Sequence, residues 1–523
     1  MLTLPLGLST FSKIRKAGYL YIDKTQEAYN LITRGHRYFL SRPRRFGKSL
    51  LVSTLKEILD GNRSLFEGLW IDKSNYQWDK HGLIILDLSA IEVTSTEDFR
   101  SGICELLQEV ADDYALGLTL HTERPDAALR ALVRALYAKF GRIAVLVDEY
   151  DSPILQVLND QPKAKEVRNA IRRFFAVIKS LDSFIDFVFI TGVSSFAKAG
   201  LFSGINNLSI MTMDTQWATI CGYTDAEVDH YLAPHIQSWA DAKNIPYNDL
   251  RRQIKDWYNG YRFGADVPSI YNPFSIMHAL NAKQFKNFWF QTGTPAFLVE
   301  ELAKKYRKTE YEILDLEKLE TTEDALGIFE IGATPLTALM FQTGYLTVTA
   351  FDEEKQSYQL GYPNSEVRIA LQKYLLGMYT SMDFTEAESF SLKLFSALNQ
   401  KDIEDVVTLI KSIIVRVPYS LHGTEEKFYH GLLQVLFGAA GIKAYSEHLT
   451  SHARIDMILE LPALNYVIEI KLNESAQKAL QQIEDRKYYE ALQYQNKPIV
   501  LLGLAFHRQA KSFEITYVSR IIS

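Results

Sequence analysis

Residues 37–58 constrain the fold more than any other stretch of this chain. They read as a short apolar strand, a loop and an amphipathic helix, in that order. Gly47, Lys48 and Ser49 end the loop in the pattern of a phosphate-binding loop, or P-loop. In that pattern glycine lets the backbone approach a phosphate, lysine reaches the β- and γ-phosphates, and the serine hydroxyl suits Mg²⁺. The stretch therefore predicts a nucleotide site with bound magnesium.

One position departs from the usual loop. Five residues before Gly47, where the first glycine is expected, the chain has Arg42. Glycine is the residue that adopts positive φ without steric cost. The loop must therefore open at this point without that freedom.

A second apolar run ends in carboxylates. Residues 143–147 are all apolar, and Asp148 and Glu149 follow them directly. An unbroken apolar run is typical of a strand buried on both faces of a parallel sheet. At the end of such a strand, Asp148 would hold the Mg²⁺ shell and Glu149 would polarise the attacking water. A buried strand capped by a solvated acidic turn is the alternative, and the neighbouring P-loop makes it the weaker one.

A third apolar strand, residues 187–190, ends in the small polar residues 191–195. In one interpretation Thr191 senses the γ-phosphate. In the other, glycine and serine are there as ordinary turn formers. The sequence leaves both open.

Several ordered motifs together identify a family. They are Leu4-Pro5-Leu6-Gly7, Tyr21-Ile22-Asp23-Lys24-Thr25, residues 42–49, residues 146–151, Thr191-Gly192-Val193-Ser194, residues 257–263, Tyr271-Asn272-Pro273-Phe274-Ser275, Thr292-Gly293-Thr294-Pro295, Gly344-Tyr345-Leu346-Thr347 and residues 362–367. This set resembles the AAA-ATPase-like family of bacterial proteins, whose members typically join an ATPase module to a C-terminal PD-(D/E)XK nuclease-like domain. The resemblance spans nearly the whole chain, and in that family arginine commonly occupies the first-glycine position.

The resemblance implies a set of nucleotide-binding residues. They are Arg44, Arg45, Phe46, Gly47, Lys48, Ser49, Asp148 and Thr191. A departure is Ser195, where many members have a basic residue, so the resemblance assigns this position no role at the γ-phosphate. AAA-type sites are often completed by an arginine from a neighbouring copy, which would make the chain a homo-oligomer. Arg172 and Arg173 are the candidates, although a solvated helix face is the slightly preferred interpretation.

The C-terminal hundred residues carry a second pattern. A helix near residues 426–437, three strands, a helical segment and a last strand follow one another. Residues i and i+2 of a strand share a face, so Glu469 and Lys471 project together. A hairpin centred on Pro462-Ala463 would bring Asp456 opposite or diagonal to Glu469. Two such carboxylates repel unless a cation such as Mg²⁺ or Mn²⁺ lies between them.

This element order, with Asp456 followed by Glu469 and Lys471, resembles the PD-(D/E)XK nuclease core. The resemblance implies metal binding by Asp456 and Glu469, with Glu447 as the natural third acid. Lys471 would orient or activate water for attack on a phosphodiester. Gln482 matches a residue that the family often keeps near the site. An exposed strand face with a surface ion pair is the alternative.

General properties agree with a cytoplasmic enzyme. The 523 residues suffice for roughly three domains. The two cysteines, Cys104 and Cys221, are too few for a disulfide framework or a zinc cluster. No secretory signal or membrane-spanning stretch is evident, so no membrane partner is expected. The net charge of −6 gives no global basic footprint for nucleic acid, although a local groove could supply one.

We therefore expect an α/β protein with a P-loop AAA-like ATPase core, a helical lid, a mostly helical middle region with one strand at residues 345–351, and a restriction-endonuclease-like domain. The expected bounds are 1–222, 223–301, 302–420 and 421–523. The expected function is ATP binding and hydrolysis coupled to a metal-dependent nuclease acting on DNA or RNA. The alternative is a nucleotide-dependent switch or scaffold whose nuclease-like domain binds nucleic acid or a protein without cutting.

Overall fold

The computed structural model describes most of the chain. The described residues are 1–522 without 122, 196–199, 203–204, 206–207, 294–315, 317–318, 328–329, 418–425, 450–453 and 509–512. They divide into two units, one made of residues up to 293 together with 316–364, and one made of residues from 365 onwards. The predicted bounds of the four regions stay predictions.

A five-stranded parallel sheet forms the centre of the first unit. Its strands are β1 (Arg37–Ser41), β2 (Gly82–Asp87), β3 (Ile143–Asp148), β4 (Ile185–Gly192) and β5 (Ser209–Ile210). Their spatial order is β2-β3-β4-β1-β5. Every residue of β3 is buried, as the unbroken apolar run predicts. Since the strands are parallel, the carboxyl ends of β1, β3 and β4 lie at one edge of the sheet.

Helices connect these strands and cover the sheet. They are α1 (Phe11–Lys16), α2 (Thr25–Arg34), α3 (Lys48–Leu59), α4 (Thr96–Asp113), α5 (Pro125–Phe140), α6 (Ser152–Gln156) and α7 (Gln161–Ser180). Short 3₁₀ turns occur at Arg63–Phe66, Trp70–Lys73, Leu88–Ala90 and Thr215–Trp217.

A group of helices follows β5 in the position expected for the lid. They are α8 (Asp225–Glu227), which continues into a π-helical turn (Val228–Leu232), α9 (Ala233–Lys243), α10 (Tyr247–Tyr258), α11 (Pro273–Ala282) and α12 (Phe288–Gly293). Helix α11 begins where the Asn272 side chain accepts a hydrogen bond from the Ser275 amide, and Pro273 opens its first turn. Leu4, Leu20 and Ile22 of the N-terminal segment share a buried apolar cluster with these helices. The N-terminal segment is thereby fixed against the lid.

The remainder of the first unit contains a small antiparallel sheet. Its elements are β6 (Leu319–Thr321), α13 (Glu323–Leu326), α14 (Leu336–Thr343), β7 (Thr347–Asp352) and β8 (Ser357–Gly361), with the strand order β6-β8-β7. The sequence predicts one strand here, residues 345–351, and β7 confirms it. The other two strands are short, and their pattern did not distinguish them from the surrounding helical segments.

The second unit packs helices against a five-stranded mixed sheet. Its elements are α15 (Ser365–Thr380), α16 (Phe384–Gln400), α17 (Ile403–Arg416), α18 (Glu426–Ala439), β9 (Lys443–Leu449), β10 (Arg454–Glu460), β11 (Asn465–Leu472), α19 (Ala476–Asp485), a 3₁₀ segment (Tyr488–Gln495), β12 (Ile499–Arg508) and β13 (Phe513–Ile522). The spatial order is β13-β12-β11-β10-β9. The predicted α-β-β-β-α-β order is confirmed, and β13 is an additional edge strand.

Helix length and composition also bear on membrane association. Among the described residues, no helix is both long enough and apolar enough to cross a bilayer.

Candidate functional site

The P-loop lies between β1 and α3, as the sequence predicts. Gly47 immediately precedes α3 with φ of 91° and ψ of 16°, a left-handed conformation that favours glycine. A Cβ atom built at Gly47 would meet no atom within 4 Å. The glycine is therefore required by the backbone conformation, and the space above it is open to a ligand.

Arg42 explains how the loop begins without glycine. Its side chain is 1% exposed and donates to the carbonyl oxygens of Thr212 (2.9 Å) and Trp217 (3.2 Å), and its guanidinium lies 4.1 Å from the centre of the Phe263 ring. Burial lowers its pKa to about 10. Arg42 is absent from the described residues with positive φ, whereas Arg45 adopts a φ of 65°. The loop therefore turns at Arg45 and Gly47, and Arg42 ties it to the segment after β5.

Phe46 and Arg44, shortly before Gly47, have different environments. Phe46 is fully buried and packs edge-on against the rings of Tyr261 and Phe263, with centroids 4.7 Å and 5.7 Å away. The carbonyl of Arg44 accepts a hydrogen bond from Trp289 Nε1 at 3.0 Å. Phe46 thus supports the loop from beneath, and its side chain belongs to the packing.

Lys48 points back into its own loop. Its Nζ donates to the carbonyl oxygens of Arg42 and Pro43, each at 3.0 Å, and the side chain is buried. Burial lowers the pKa of Lys48, against the opposing effect of Asp148 and Glu149. A phosphate would offer this ammonium a charged partner in place of two neutral carbonyls.

Two carboxylates at the end of β3 face the loop. Ser49 and Lys48, the first residues after Gly47, are near neighbours of Asp148 at the end of β3. Burial raises the pKa of Asp148, and Ser49 and Lys48 oppose that rise. Glu149 has a φ of 49°, and its amide donates to Asp148 Oδ1 at 3.0 Å. Burial also raises the pKa of Glu149.

Thr191 is on β4, which lies between β3 and β1 in the sheet. It is opposite Leu40 in the parallel register, and its Oγ1 is buried without a hydrogen-bond partner among the described residues. Ser49 and Asp148 present oxygen atoms, the ligand type that Mg²⁺ prefers. This donor set fits a magnesium ion.

A cavity of about 450 Å³ opens above the loop. The side chains of Arg44, Arg45, Lys48, Ser49 and Glu149 line it, together with residues 5–9 of the N-terminal segment. Its far wall is formed by residues to which the sequence analysis gave no chemistry, namely Tyr223, Pro273, Phe274, Met277 and His278. The volume and the charged floor suit a nucleotide.

The second group of predicted residues meets at the β10–β11 hairpin. The strands pair from Glu460–Asn465 to Met457–Ile468, which confirms the hairpin centred on Pro462-Ala463. Beyond the Met457–Ile468 pair, a side chain replaces the backbone acceptor. The Ile470 N–H donates to Asp456 Oδ2 at 2.8 Å. Asp456 therefore lies beside the strand that carries Glu469 and Lys471.

Glu469 is the most enclosed group of this site. It is 1% exposed, and its Oε1 accepts hydrogen bonds from Lys471 Nζ at 3.1 Å and from Gln482 Nε2. Its Oε2 is buried with no partner among the described residues. Burial and the nearby Asp456 raise the pKa of Glu469 to about 7. Gln482 is therefore in contact with the predicted site, as the sequence suggested.

Neighbouring charged groups favour the ionised forms of both Asp456 and Lys471. Burial alone would raise the pKa of Asp456, but His430, the Ile470 amide and Lys471 together outweigh it and the pKa is lowered. Burial alone would lower the pKa of Lys471, but Glu469 and Asp456 outweigh it and the pKa is raised. Lys471 is therefore held as a cation between two acids.

Comparisons with known proteins match the two regions of the chain that contain these residues. Residues 5–202 match the model of a predicted AAA-ATPase family, and residues 424–514 match that of the PD-(D/E)XK nuclease superfamily. The chain is 36% identical over 521 residues to an uncharacterized protein in the vnfD 5′ region of Azotobacter chroococcum mcd 1, covering 97% of each. This chain belongs to the AAA-ATPase-like family. It joins the family's ATPase module to a PD-(D/E)XK nuclease-like domain.

Two solved structures from Aeropyrum pernix are also similar. The ORC1 protein in complex with DNA is 11% identical, covers 67% of this chain and 91% of its own, and has a TM-score of 0.24. The ORC2 protein in ADPNP–ADP complexes is 10% identical, covers 65% and 88%, and has a TM-score of 0.29. Likenesses this low bear on neither the site nor the function of this chain.

In this AAA-ATPase-like chain, the sequence analysis missed two residues of the nuclease-like site. His430 Nε2 lies 3.4 Å from Asp456 Oδ2, and Glu426 Oε1 accepts a hydrogen bond from Leu472 N–H at 3.0 Å. Both are on α18, four residues apart and so on one face of that helix. That spacing was the available signal, but the helix was interpreted from its apolar residues alone.

The sequence analysis also missed the role of Asp151 in the ATPase module. This residue is 1% exposed, and its carboxylate accepts hydrogen bonds from the amides of Val193 and Ser194, the latter at 2.7 Å. Asp151 therefore connects two segments, the turn that contains Glu149 and the residues that follow β4. The residue was visible within the same acidic motif, although its partners are about forty residues away.

The predicted third acid, Glu447, is on β9. The neighbouring pairs Ile455–His448 and Met457–Ser446 place its backbone opposite Asp456. Its side chain lies outside the described ones, and among those described no group of three ligating residues is found that could hold a metal. The buried, unpartnered Oε2 of Glu469 nevertheless fits a cation, because an unpaired buried carboxylate oxygen is costly.

The raised pKa of Glu469 predicts a pH-dependent stability. Between pH about 4.5 and about 7 the folded protein holds a proton on Glu469 that the unfolded chain has released. The metal-free protein should therefore lose stability as pH rises through this range. We expect Glu469→Gln to have the higher melting temperature above pH 7 in a chelator, with the gap closing toward pH 5. A gap that does not change with pH would contradict this.

Proposed function

We propose that this chain binds and hydrolyses ATP in its first unit and cleaves DNA or RNA phosphodiesters, with a divalent metal, in its C-terminal domain. The proposal retains the regions 1–222, 223–301, 302–420 and 421–523 as core, lid, middle region and nuclease-like domain. It includes a cytoplasmic location, where ATP and nucleic acid are both available.

The nucleotide half rests on the proximity of the P-loop to the carboxylates at the end of β3. The helix that starts at Lys48 presents its amides to the phosphates, and the ammonium of Lys48 would exchange its two carbonyl partners for phosphate oxygens. Ser49 and Asp148, which are near neighbours, would hold Mg²⁺. When bound, that ion neutralises charge on the phosphates. Glu149 would orient the attacking water from the edge of the cavity.

The nuclease half rests on one observation. Glu469 is buried next to Asp456 and Lys471, and its Oε2 has no hydrogen-bond partner among the described residues. Asp456 and Glu469 would hold Mg²⁺ or Mn²⁺, with Glu447 as a further ligand. Such a metal supplies charge stabilisation at the phosphodiester. Lys471 would orient water toward the phosphorus, and Gln482 holds Glu469 in place.

The two carboxylates of β3 predict separable effects. Glu149→Gln should leave Mg·ATP affinity within a few-fold of wild type and slow hydrolysis by about 10²-fold or more, because it removes a proton acceptor for water and spares the phosphate contacts. Calorimetry with ATP and a phosphate-release assay measure the two effects. A variant that hydrolyses ATP at the wild-type rate would remove Glu149 from the mechanism.

Cleavage itself requires a direct test. Labelled single- and double-stranded DNA and RNA should be incubated with the full chain and Mg²⁺ or Mn²⁺, with and without ATP. We expect cleavage of at least one substrate that depends on metal and changes with ATP. If ATP is turned over but no nucleic acid is cut, the switch or scaffold function replaces the nuclease.

A further inference from the structure

Helix α7 concentrates positive charge on an acidic chain. Its twenty residues contain six lysines and arginines and one glutamate, while the whole chain has a net charge of −6. Four of the cations recur at helical spacing along the side that faces away from the sheet. We name them the basic stripe: Lys165, Arg168, Arg172 and Lys179.

The basic stripe is not neutralised by acidic side chains among the described residues. Within the part of the chain that the structure describes, none of the four side chains forms an ion pair with a carboxylate. Among them only Arg168 has a side-chain hydrogen bond there, to the neighbouring Asn169 at 3.5 Å. From Lys165 to Lys179 the stripe spans about 21 Å at 1.5 Å per residue. Like charges at this spacing repel weakly, so the stripe costs stability without a ligand.

A cleft beside α7 extends the positive surface. It has a volume of about 540 Å³ and lies among α4, α5 and α7. Four arginines and two acids line it, which leaves an excess of positive charge: Arg100, Arg124, Arg130, Arg173, Glu123 and Asp126. Arg100 and Arg124 have acidic neighbours, whereas Arg130 donates to the Ser180 hydroxyl and Arg173 has no ion-pair partner among the described residues.

We propose that the basic stripe and this cleft bind the phosphate backbone of a nucleic acid. The kind of ligand is inferred from the positive charge of the surface and from its lack of exposed apolar side chains. The exposed large hydrophobic side chains among the described residues include none on α7. Protein interfaces have an apolar centre, whereas nucleic-acid interfaces are polar and strongly positive. A linear row of cations over about 21 Å matches a polymer with evenly spaced phosphates.

This surface rests on the proposed function for the identity of the polymer, and it is separate from both sites described above. It would hold nucleic acid on the ATPase module by contacts that do not depend on base sequence. Binding should therefore be strongly salt-dependent and indifferent to the metal at Asp456.

The test compares two sets of four neutralised cations in the full chain carrying Asp456→Asn, in a chelator. The stripe set is Lys165→Gln, Arg168→Gln, Arg172→Gln and Lys179→Gln. The matched control set is Lys13→Gln, Lys16→Gln, Lys56→Gln and Lys73→Gln, four exposed lysines of the same unit. Both sets remove four charges, and neither removes an ion pair among the described residues. Thermal unfolding checks that each variant is folded.

We expect the stripe set to weaken binding of a labelled duplex or single strand at least tenfold, and to reduce the slope of log K against log salt by roughly 3. The control set should change both much less. Equal effects of the two sets, or no binding by the parent at low salt, would overturn the inference. A stripe set that binds nucleic acid like the parent would also overturn the inference, even if that variant no longer bound an acidic protein.

The outcomes for this surface and for the nuclease differ. A chain with Asp456 intact that binds through the stripe but cuts nothing refutes the nuclease and leaves the surface. A chain that cuts while its stripe set binds like the parent refutes the surface and leaves the nuclease.

Discussion

Replacing Lys48 with alanine should weaken Mg·ATP binding on the order of a hundredfold or more. The ammonium is buried at the floor of the cavity, and in the nucleotide-free chain it is held by two carbonyl oxygens of its own loop. Removing it takes a buried cation away from the phosphates in a low-dielectric site, where charge-assisted hydrogen bonds are strongest. Isothermal titration calorimetry with ATP and Mg²⁺ measures the loss.

Lys56 offers a matched control on the same helix. It lies on the outer face of α3, exposed and without an ion pair among the described residues. Lys56→Ala should bind Mg·ATP like wild type, since it removes the same side chain from the same helix and leaves the loop intact. If Lys48→Ala retains wild-type affinity, the cavity above the P-loop is not a nucleotide site.

The parts of the fold that the sequence could predict are those written in local patterns. The apolar run before Asp148 specifies a buried strand because such a strand needs apolar residues on both faces. The alternation at Glu469 and Lys471 puts both side chains on one face of a strand. A short turn at Pro462-Ala463 fixes the register, so Asp456 reaches the Ile470 amide without information from elsewhere in the chain.

Long-range contacts account for what the sequence could not supply. Arg42 looked like a missing glycine, yet its side chain turns inward to carbonyls 170 and 175 residues away. Nothing near Arg42 in sequence specifies those partners. Phe46 was assigned to the nucleotide because it lies within the loop motif, although Tyr261 and Phe263 bury it under the loop.

The same limit applies to the edges of the second site. His430 reaches Asp456 only because α18 packs across the sheet, and helical periodicity alone cannot say which strand a helix will cover. The pKa of Glu469 is likewise set by burial and by Asp456, both products of the tertiary fold. Motifs therefore predict which groups lie together, and the fold determines the charge states of those groups.

Asp456→Asn should abolish metal-dependent cleavage, with a loss of at least about a hundredfold, since even residues that only support metal ligands are typically worth 10- to 100-fold. Asparagine retains an oxygen that can accept the Ile470 N–H bond, so the end of the hairpin should stay intact. What it removes is the negative charge between His430 and Lys471. Alanine would lose the hydrogen bond as well and confound chemistry with stability.

The metal can be measured without activity. Wild type should gain thermal stability from Mn²⁺ because the metal binds the folded state, by about 2.7 kcal/mol at a hundred times Kd. Asp456→Asn should lose that gain, while Asp485→Asn, which changes an exposed carboxylate on α19, should keep it. Lys471→Met should keep the metal-dependent gain and lose cleavage, because the lysine is assigned to water. If wild type and Asp456→Asn gain equally from Mn²⁺, the metal binds elsewhere, and the cluster at Glu469 is a buried ion pair without catalytic function.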